Sequence, residues 1–144
     1  MLIRLIFLVF FVFTNCHIFS QTISCEIVPE FIKLRQGEKR REIVGIDSNQ
    51  ILISFFNGFK GDSVLVYQNK KLVKTLVLKS SDNGHTKQSL ILKRRKRGDK
   101  LKIINLTRST CFEMPIQSGY KMLAVTIVGS QWKVIYSNYY FTVE

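Results

Sequence analysis

The densest concentration of reactive-type side chains is Lys93-Arg94-Arg95-Lys96-Arg97, five consecutive cations between the apolar runs Leu90-Ile91-Leu92 and Leu101-Lys102-Ile103. A guanidinium grips a phosphate, sulfate or carboxylate through two parallel hydrogen bonds, so this run points to anion recognition. The chain carries 22 basic and 10 acidic residues, and the excess is localised. From Gln21 to Phe59 there are five of each sign, whereas Lys60 to Lys102 holds thirteen basic residues against Asp62, Asp82 and Asp99. The net of +10 in that one segment makes a central basic face the first candidate site, with Lys93, Arg94, Arg95, Lys96 and Arg97 as ligand-binding residues.

Other chemistry is thinly represented. Past the N-terminal stretch the chain has one histidine, His85, in the loop Ser80-Ser81-Asp82-Asn83-Gly84-His85-Thr86. A hydrolytic triad draws its members from separate elements, and residues this close along one loop do not reach that geometry. Asn83-Gly84 instead marks a solvated turn. The loop lacks the acidic density of a calcium site, and no feature selects a pair of carboxylates for glycoside hydrolysis. No catalytic residue, metal site or cofactor is therefore expected. Arg97-Gly98-Asp99 spells a tripeptide that resembles integrin-binding ligands, but Gly98-Asp99 is also what a strand connection prefers. Asn105-Leu106-Thr107 forms a glycosylation sequon, placed within an expected strand. The aromatic cluster Trp132, Tyr136, Tyr139, Tyr140 and Phe141 has the composition of a sugar-stacking platform; Trp132, Val134 and Tyr136 share one strand parity, which is how a sandwich fills its interior.

The compartment follows from the first twenty residues. Met1-Leu2-Ile3-Arg4 carries one positive charge, and Leu5 to Phe13 is uniformly apolar. A spanning helix needs about 20 apolar residues, so this shorter run reads as a secretory signal, cut after Ser20. Phe13 and Asn15 are bulkier than the residues a lipobox places before its cysteine, so Cys16 is expected to leave with the signal. Residues 21–144 then form one domain in a secreted, periplasmic or cell-surface setting with no transmembrane span. Two cysteines remain, Cys25 and Cys111, and an even pair in a small exported domain reads as a disulfide. Closing so long a loop stabilises a fold by about 4 to 5 kcal/mol in the chain-entropy treatment.

The elements that position these residues are short. Runs rich in Val, Ile, Leu, Phe and Tyr recur about every ten residues between polar or glycine-bearing breaks, a strand spacing. Strands are expected over Ser24 to Val28, Phe31 to Arg35, Gln50 to Phe56, Ser63 to Gln68, Leu72 to Lys79, Gln88 to Lys93, Lys100 to Thr107, Lys121 to Val128, Trp132 to Ser137 and Tyr139 to Val143. Gln36 to Arg41, Ser80 to Thr86 and Arg108 to Gly119 read as irregular. Asn69-Lys70 and Gly129-Ser130 are tight hairpin turns, since Asn and Gly tolerate the positive φ of primed turns. The fold expected is all-β, an antiparallel sandwich of immunoglobulin-like or jelly-roll type. Apolar residues on both parities of Met122 to Val128 imply burial on both faces or a partner.

These features imply a non-catalytic exported binding module whose basic face meets an anionic polysaccharide, an envelope surface or another polyanion, with intracellular nucleic acid out of reach. The alternative is a structural or adhesion domain that meets a protein partner through sheet edges and apolar faces.

Overall fold

The computed structural model describes Cys25 and residues 27–33, 40–81, 86, 88–95 and 98–140. The expected N-terminal signal, His85, Lys96, Arg97 and Phe141 lie outside the described residues. Among the described residues nine strands are formed: β1 (Glu30–Phe31), β2 (Gln50–Phe55), β3 (Lys60–Gln68), β4 (Lys71–Lys79), β5 (Ser89–Lys93), β6 (Lys100–Asn105), β7 (Thr110–Pro115), β8 (Met122–Val128) and β9 (Gln131–Ser137). Among the same residues no helix is long and apolar enough to cross a membrane.

Local chemistry explains the turns. In the β3–β4 hairpin Gln68 faces Lys71, and both intervening residues adopt positive φ, 50° at Asn69 and 67° at Lys70, as a type I′ turn requires. In the β8–β9 hairpin Val128 faces Gln131, and of the two intervening residues Gly129 alone has positive φ, 64°. Asn105 and Thr110 close a longer β6–β7 connection, whose first turn forms when Asn105 Oδ1 accepts the Arg108 N–H at 3.1 Å.

Two sheets pack face to face, one ordered β1-β9-β8-β2-β5 and the other β4-β3-β6-β7. The pairing departs from a purely antiparallel sandwich. Five pairings are antiparallel, but β1·β9 and β2·β8 are parallel. The cause lies in the crossovers: the chain leaves β2, forms β3 and β4 in the opposite sheet, and returns as β5 beside β2. β8 then reaches the other flank of β2 running the same way, with Ile53 beside Leu123. β7 is a further difference. Phe112 and Met114 face inward with the strand alternation, although Arg108 to Gly119 reads as irregular in sequence. Conversely, Cys25, Ile27 and Val28 lie outside any strand, β1 is two residues long, and Tyr139 contributes one isolated bridge to Glu42.

The core is built from the inward parity of the long strands. Ile51, Ile53 and Phe55 of β2 meet the same buried cluster as Val64, Val66, Ile103 and Phe112 of the facing sheet. β8 lies between β9 and β2, and Met122, Leu123, Ala124 and Val125 are all buried, which accounts for its apolar character on both parities. Tyr136 is fully buried, donates to the Pro115 carbonyl at 2.8 Å and accepts from the Gln117 N–H at 3.1 Å. Burial pushes its phenol up from 10.0 to about 12, against smaller opposing effects of the Gln117 hydrogen bond and the Arg94 charge.

Arg108 fastens the opposite end. Its Nη2 lies 2.9 Å from Oδ2 of the buried Asp62 and also donates to the Gly58 carbonyl, while Nη1 donates to the Gly129 carbonyl at 3.0 Å. Three turns are thereby held by one side chain. Gly58 sits against β8 at φ 94°, where a Cβ would lie 1.8 Å from the Ile127 carbonyl oxygen, so no other residue fits there. Cys25 and Cys111 are joined as a disulfide, with Cα atoms 5.0 Å apart and a sequence separation of 86. The link pins Cys25 at the outer edge of β7, where its carbonyl accepts the Glu113 N–H.

Candidate functional site

The outward parity of the four-stranded sheet carries the polar side chains. Residues directly opposite across a sheet share a face, so Tyr67, Lys102 and Glu113 form one row across β3, β6 and β7, and Leu65, Ile104 and Cys111 the next. A groove of about 960 Å³ opens on this face, floored by Tyr67 and Ile104. Lys70, Arg95, Lys100 and Lys102 line it, together with the carboxylate of Glu113. Lys100 and Lys102 stand about 6.8 Å apart, two residues along one face of β6. Glu113 Oε1 lies 3.7 Å from Lys100 Nζ and Oε2 4.0 Å from Lys102 Nζ. Exposed pairs of this kind contribute about 0 to 1 kcal/mol and hold neither lysine firmly. A second depression, about 560 Å³, shares Lys100, Lys102 and Glu113 with the first and is closed on its far side by Cys25, Ile27 and Val28.

One buried carboxylate sets the groove's geometry. Asp99, 1% exposed, accepts from Gln68 Nε2 at 2.9 Å and from the Arg95 N–H at 2.7 Å on Oδ2, and from Asn69 Nδ2 at 2.7 Å on Oδ1. Asn69 Oδ1 in turn accepts the Lys100 N–H at 2.8 Å. Lys70, which follows Asn69 in the turn, the loop residue Arg95 and the strand residue Lys100 therefore diverge from segments tied to one anchor. Gly98, at φ 88°, makes the bend that returns the chain to β6.

The five cations singled out from sequence have different fates. Lys93 is exposed at the end of β5, opposite Gln50. Arg94 turns inward: Nη1 donates to the Ser48 carbonyl at 3.0 Å, Nη2 donates to the Tyr120 carbonyl, and its own N–H donates to the Asn49 carbonyl at 2.7 Å. Burial pulls its pKa below the usual guanidinium range, an effect partly offset by Tyr136, and a guanidinium so occupied serves the fold. Arg95 is exposed and reaches the groove. Lys96 and Arg97 lie outside the described residues. Lys70, Lys100 and Lys102 were legible only as members of the basic segment; their meeting depends on the β3–β6 pairing and the β3–β4 turn.

The remaining sequence motifs resolve into structure. Asp99 of the Arg97-Gly98-Asp99 tripeptide is buried and hydrogen-bonded, so its carboxylate is withheld from a receptor. Asn105 of the sequon is 0% exposed, leaving no room for a glycan in the folded domain. Within the aromatic cluster Tyr136 is core, and Trp132 packs against Phe59 and Phe112 at centroid distances of 6.2 and 5.0 Å. Tyr140 is exposed, with the Arg41 guanidinium 5.7 Å from its ring centre. These rings do not share one accessible plane. Among the described residues no three His, Cys, Asp or Glu side chains gather as metal ligands. No protein-family model matches the chain, and no curated protein matches it in sequence.

Proposed function

We propose that the chain is an exported, non-catalytic binding module whose groove on the β4-β3-β6-β7 sheet receives a polyanion, such as an anionic glycan or a charged envelope surface. The observation that carries this reading is the meeting of Lys70, Arg95, Lys100 and Lys102 around one groove, from three chain segments held by Asp99. Amines and guanidinium groups with only weak internal partners keep most of their capacity for an external anion. The apolar run Leu5 to Phe13 supports export, and the Cys25–Cys111 link suits an oxidising compartment. Between the two sandwich topologies, the immunoglobulin-like one is favoured because β5 returns beside β2 after β3 and β4 have crossed to the other sheet, and the order β4-β3-β6-β7 is that of its facing sheet.

The test is retention on immobilised heparin. Replacing Arg95, Lys100 and Lys102 by serine should lower the eluting salt concentration well below that of the wild-type domain; unchanged elution would refute the groove. Arg94 is left in place because its removal strips partners from two carbonyls.

The second reading, assembly through sheet edges, draws on β4, an edge strand with Leu72, Val73 and Val77 exposed, and on Ile91 of β5, an edge strand of the facing sheet. Lys71, Lys74 and Lys79 on β4 oppose self-pairing by charge. A concentration-independent monomer in sedimentation, with no strand-adding partner, would exclude it.

A further inference from the structure

We infer that the occupant of the groove is an extended acidic saccharide chain, whose hydroxyl groups are read by Glu113 while its acid groups are held by Lys70, Arg95, Lys100 and Lys102. The inference rests on the polyanion reading and narrows it.

Three observations carry it. The first is the shape of the site. The 960 Å³ groove and the 560 Å³ depression have Lys100, Lys102 and Glu113 as a common wall, so the furrow continues from the Lys70–Arg95 end across β6 and β7 to Cys25, Ile27 and Val28. Three strand spacings make that path about 14 Å long. A single phosphate or sulfate would occupy a fraction of it, whereas an extended chain fills it.

The second observation is Glu113. A carboxylate between two lysines works against a pure polyanion, and a site selected for charge alone would lack it. Its value lies in accepting hydrogen bonds from neutral hydroxyls, which charge-assisted geometry makes stronger than neutral pairs. Sugars offer hydroxyls beside every acid group. The backbone of a DNA strand offers phosphates without hydroxyls, and an anionic lipid surface presents its charges in a plane that a furrow meets poorly.

The third is Tyr67. Its ring stands in the same cross-strand row as Lys102 and Glu113, so an apolar face, a cation and an acceptor lie side by side. A sugar ring needs that combination, an apolar face to stack on and polar groups at its rim.

The test uses the full disulfide-bonded domain and three probes: a sulfated hexasaccharide, oligothymidylate of matched charge, and vesicles of anionic phospholipid. Affinities are measured for wild type, Glu113→Gln, Tyr67→Leu and the pair Lys100→Ala with Lys102→Ala, each checked for a native unfolding transition. The wild type should prefer the hexasaccharide to both other probes, and affinity should rise with saccharide length until the furrow is spanned. Glu113→Gln removes the same repulsion for every probe, so the ratio of hexasaccharide to oligothymidylate affinity isolates hydroxyl recognition. That ratio should fall at least fivefold. Tyr67→Leu should weaken the hexasaccharide at least fivefold as well. If Glu113→Gln tightens all probes equally, or oligothymidylate or vesicles bind better than the saccharide, saccharide recognition is wrong while the polyanion groove stands. If the double lysine variant changes no affinity, the groove itself is wrong.

Discussion

Replacing Asp99 by asparagine is the most searching perturbation of the site, because it keeps shape and removes one acceptor. The carboxylate receives donors from Gln68 Nε2, the Arg95 N–H and Asn69 Nδ2. An amide has one oxygen. If that oxygen takes the Oδ2 position, the new NH₂ faces Asn69 Nδ2; if it takes Oδ1, the NH₂ faces both Gln68 and Arg95. Asn69 cannot relieve the first arrangement by rotating, since its oxygen already accepts the Lys100 N–H at 2.8 Å. A donor-to-donor contact remains in either case. Losing a hydrogen bond to a charged acceptor and stranding a buried donor together cost about 2 to 4 kcal/mol. With a urea slope of about 1.5 kcal/mol/M, the unfolding midpoint should fall by about 1.3 to 2.7 M at unchanged slope. The same variant, in water and still folded, should lose heparin retention as Arg95 and Lys100 lose their common anchor. A midpoint shift below about 0.3 M, equivalent to about 0.5 kcal/mol at that slope, would show that Asp99 does not organise this end of the sheet.

Three further outcomes are expected. Arg108→Ala should destabilise the domain by about 3 to 5 kcal/mol in chemical denaturation, because it leaves the Asp62 carboxylate buried without its cation and three turns untied. Tyr136 keeps its proton longer in the folded state, with a pKa of about 12 against 10.0, so its contribution is complete below pH 10 and is lost as pH rises through 12. The full loss is about 2.7 kcal/mol, it appears as a falling unfolding free energy in that window, and Tyr136→Phe should remove this component. Opening the Cys25–Cys111 bond by replacing both cysteines with alanine should lower stability by up to about 4 to 5 kcal/mol, and any variant that still folds should lose affinity for long anionic chains more than for short ones.

Much of this architecture was legible in the residues themselves. The two tight hairpins were, because Asn69 and Gly129 meet a backbone demand that few residues satisfy. The long strands β2, β3, β4, β6, β8 and β9 announced themselves by their Val-, Ile- and Leu-rich runs between polar breaks, and the disulfide by the even cysteine count past residue 20. β7 was hidden because Cys111, Glu113 and Pro115 occupy its outward parity and leave only Phe112 and Met114 as inward signals. The parallel pairing of β2 with β8 was not legible at all, since a strand's period reports which face is buried and says nothing of its neighbour. The site divides the same way. Lys100 and Lys102 were visible only as members of the basic segment, and the inward turn of Arg94 depends on carbonyls 46 and 26 positions away. The role of Asp99 required knowing that the β3–β4 turn abuts the start of β6.

On the proposed function, position of charge, and not its total, makes this face a binding site. The direct measurement compares two triple variants that remove equal charge, Arg95→Ser, Lys100→Ser and Lys102→Ser in the groove against Lys71→Ser, Lys74→Ser and Lys79→Ser along β4, titrated with a heparin-derived oligosaccharide at two salt concentrations. The groove variant should lose at least tenfold in affinity and flatten the salt dependence, while the β4 variant should lose no more than about twofold, because its lysines do not line the groove and their field is screened. Equal losses in the two would contradict the account, leaving only the diffuse field of a basic protein.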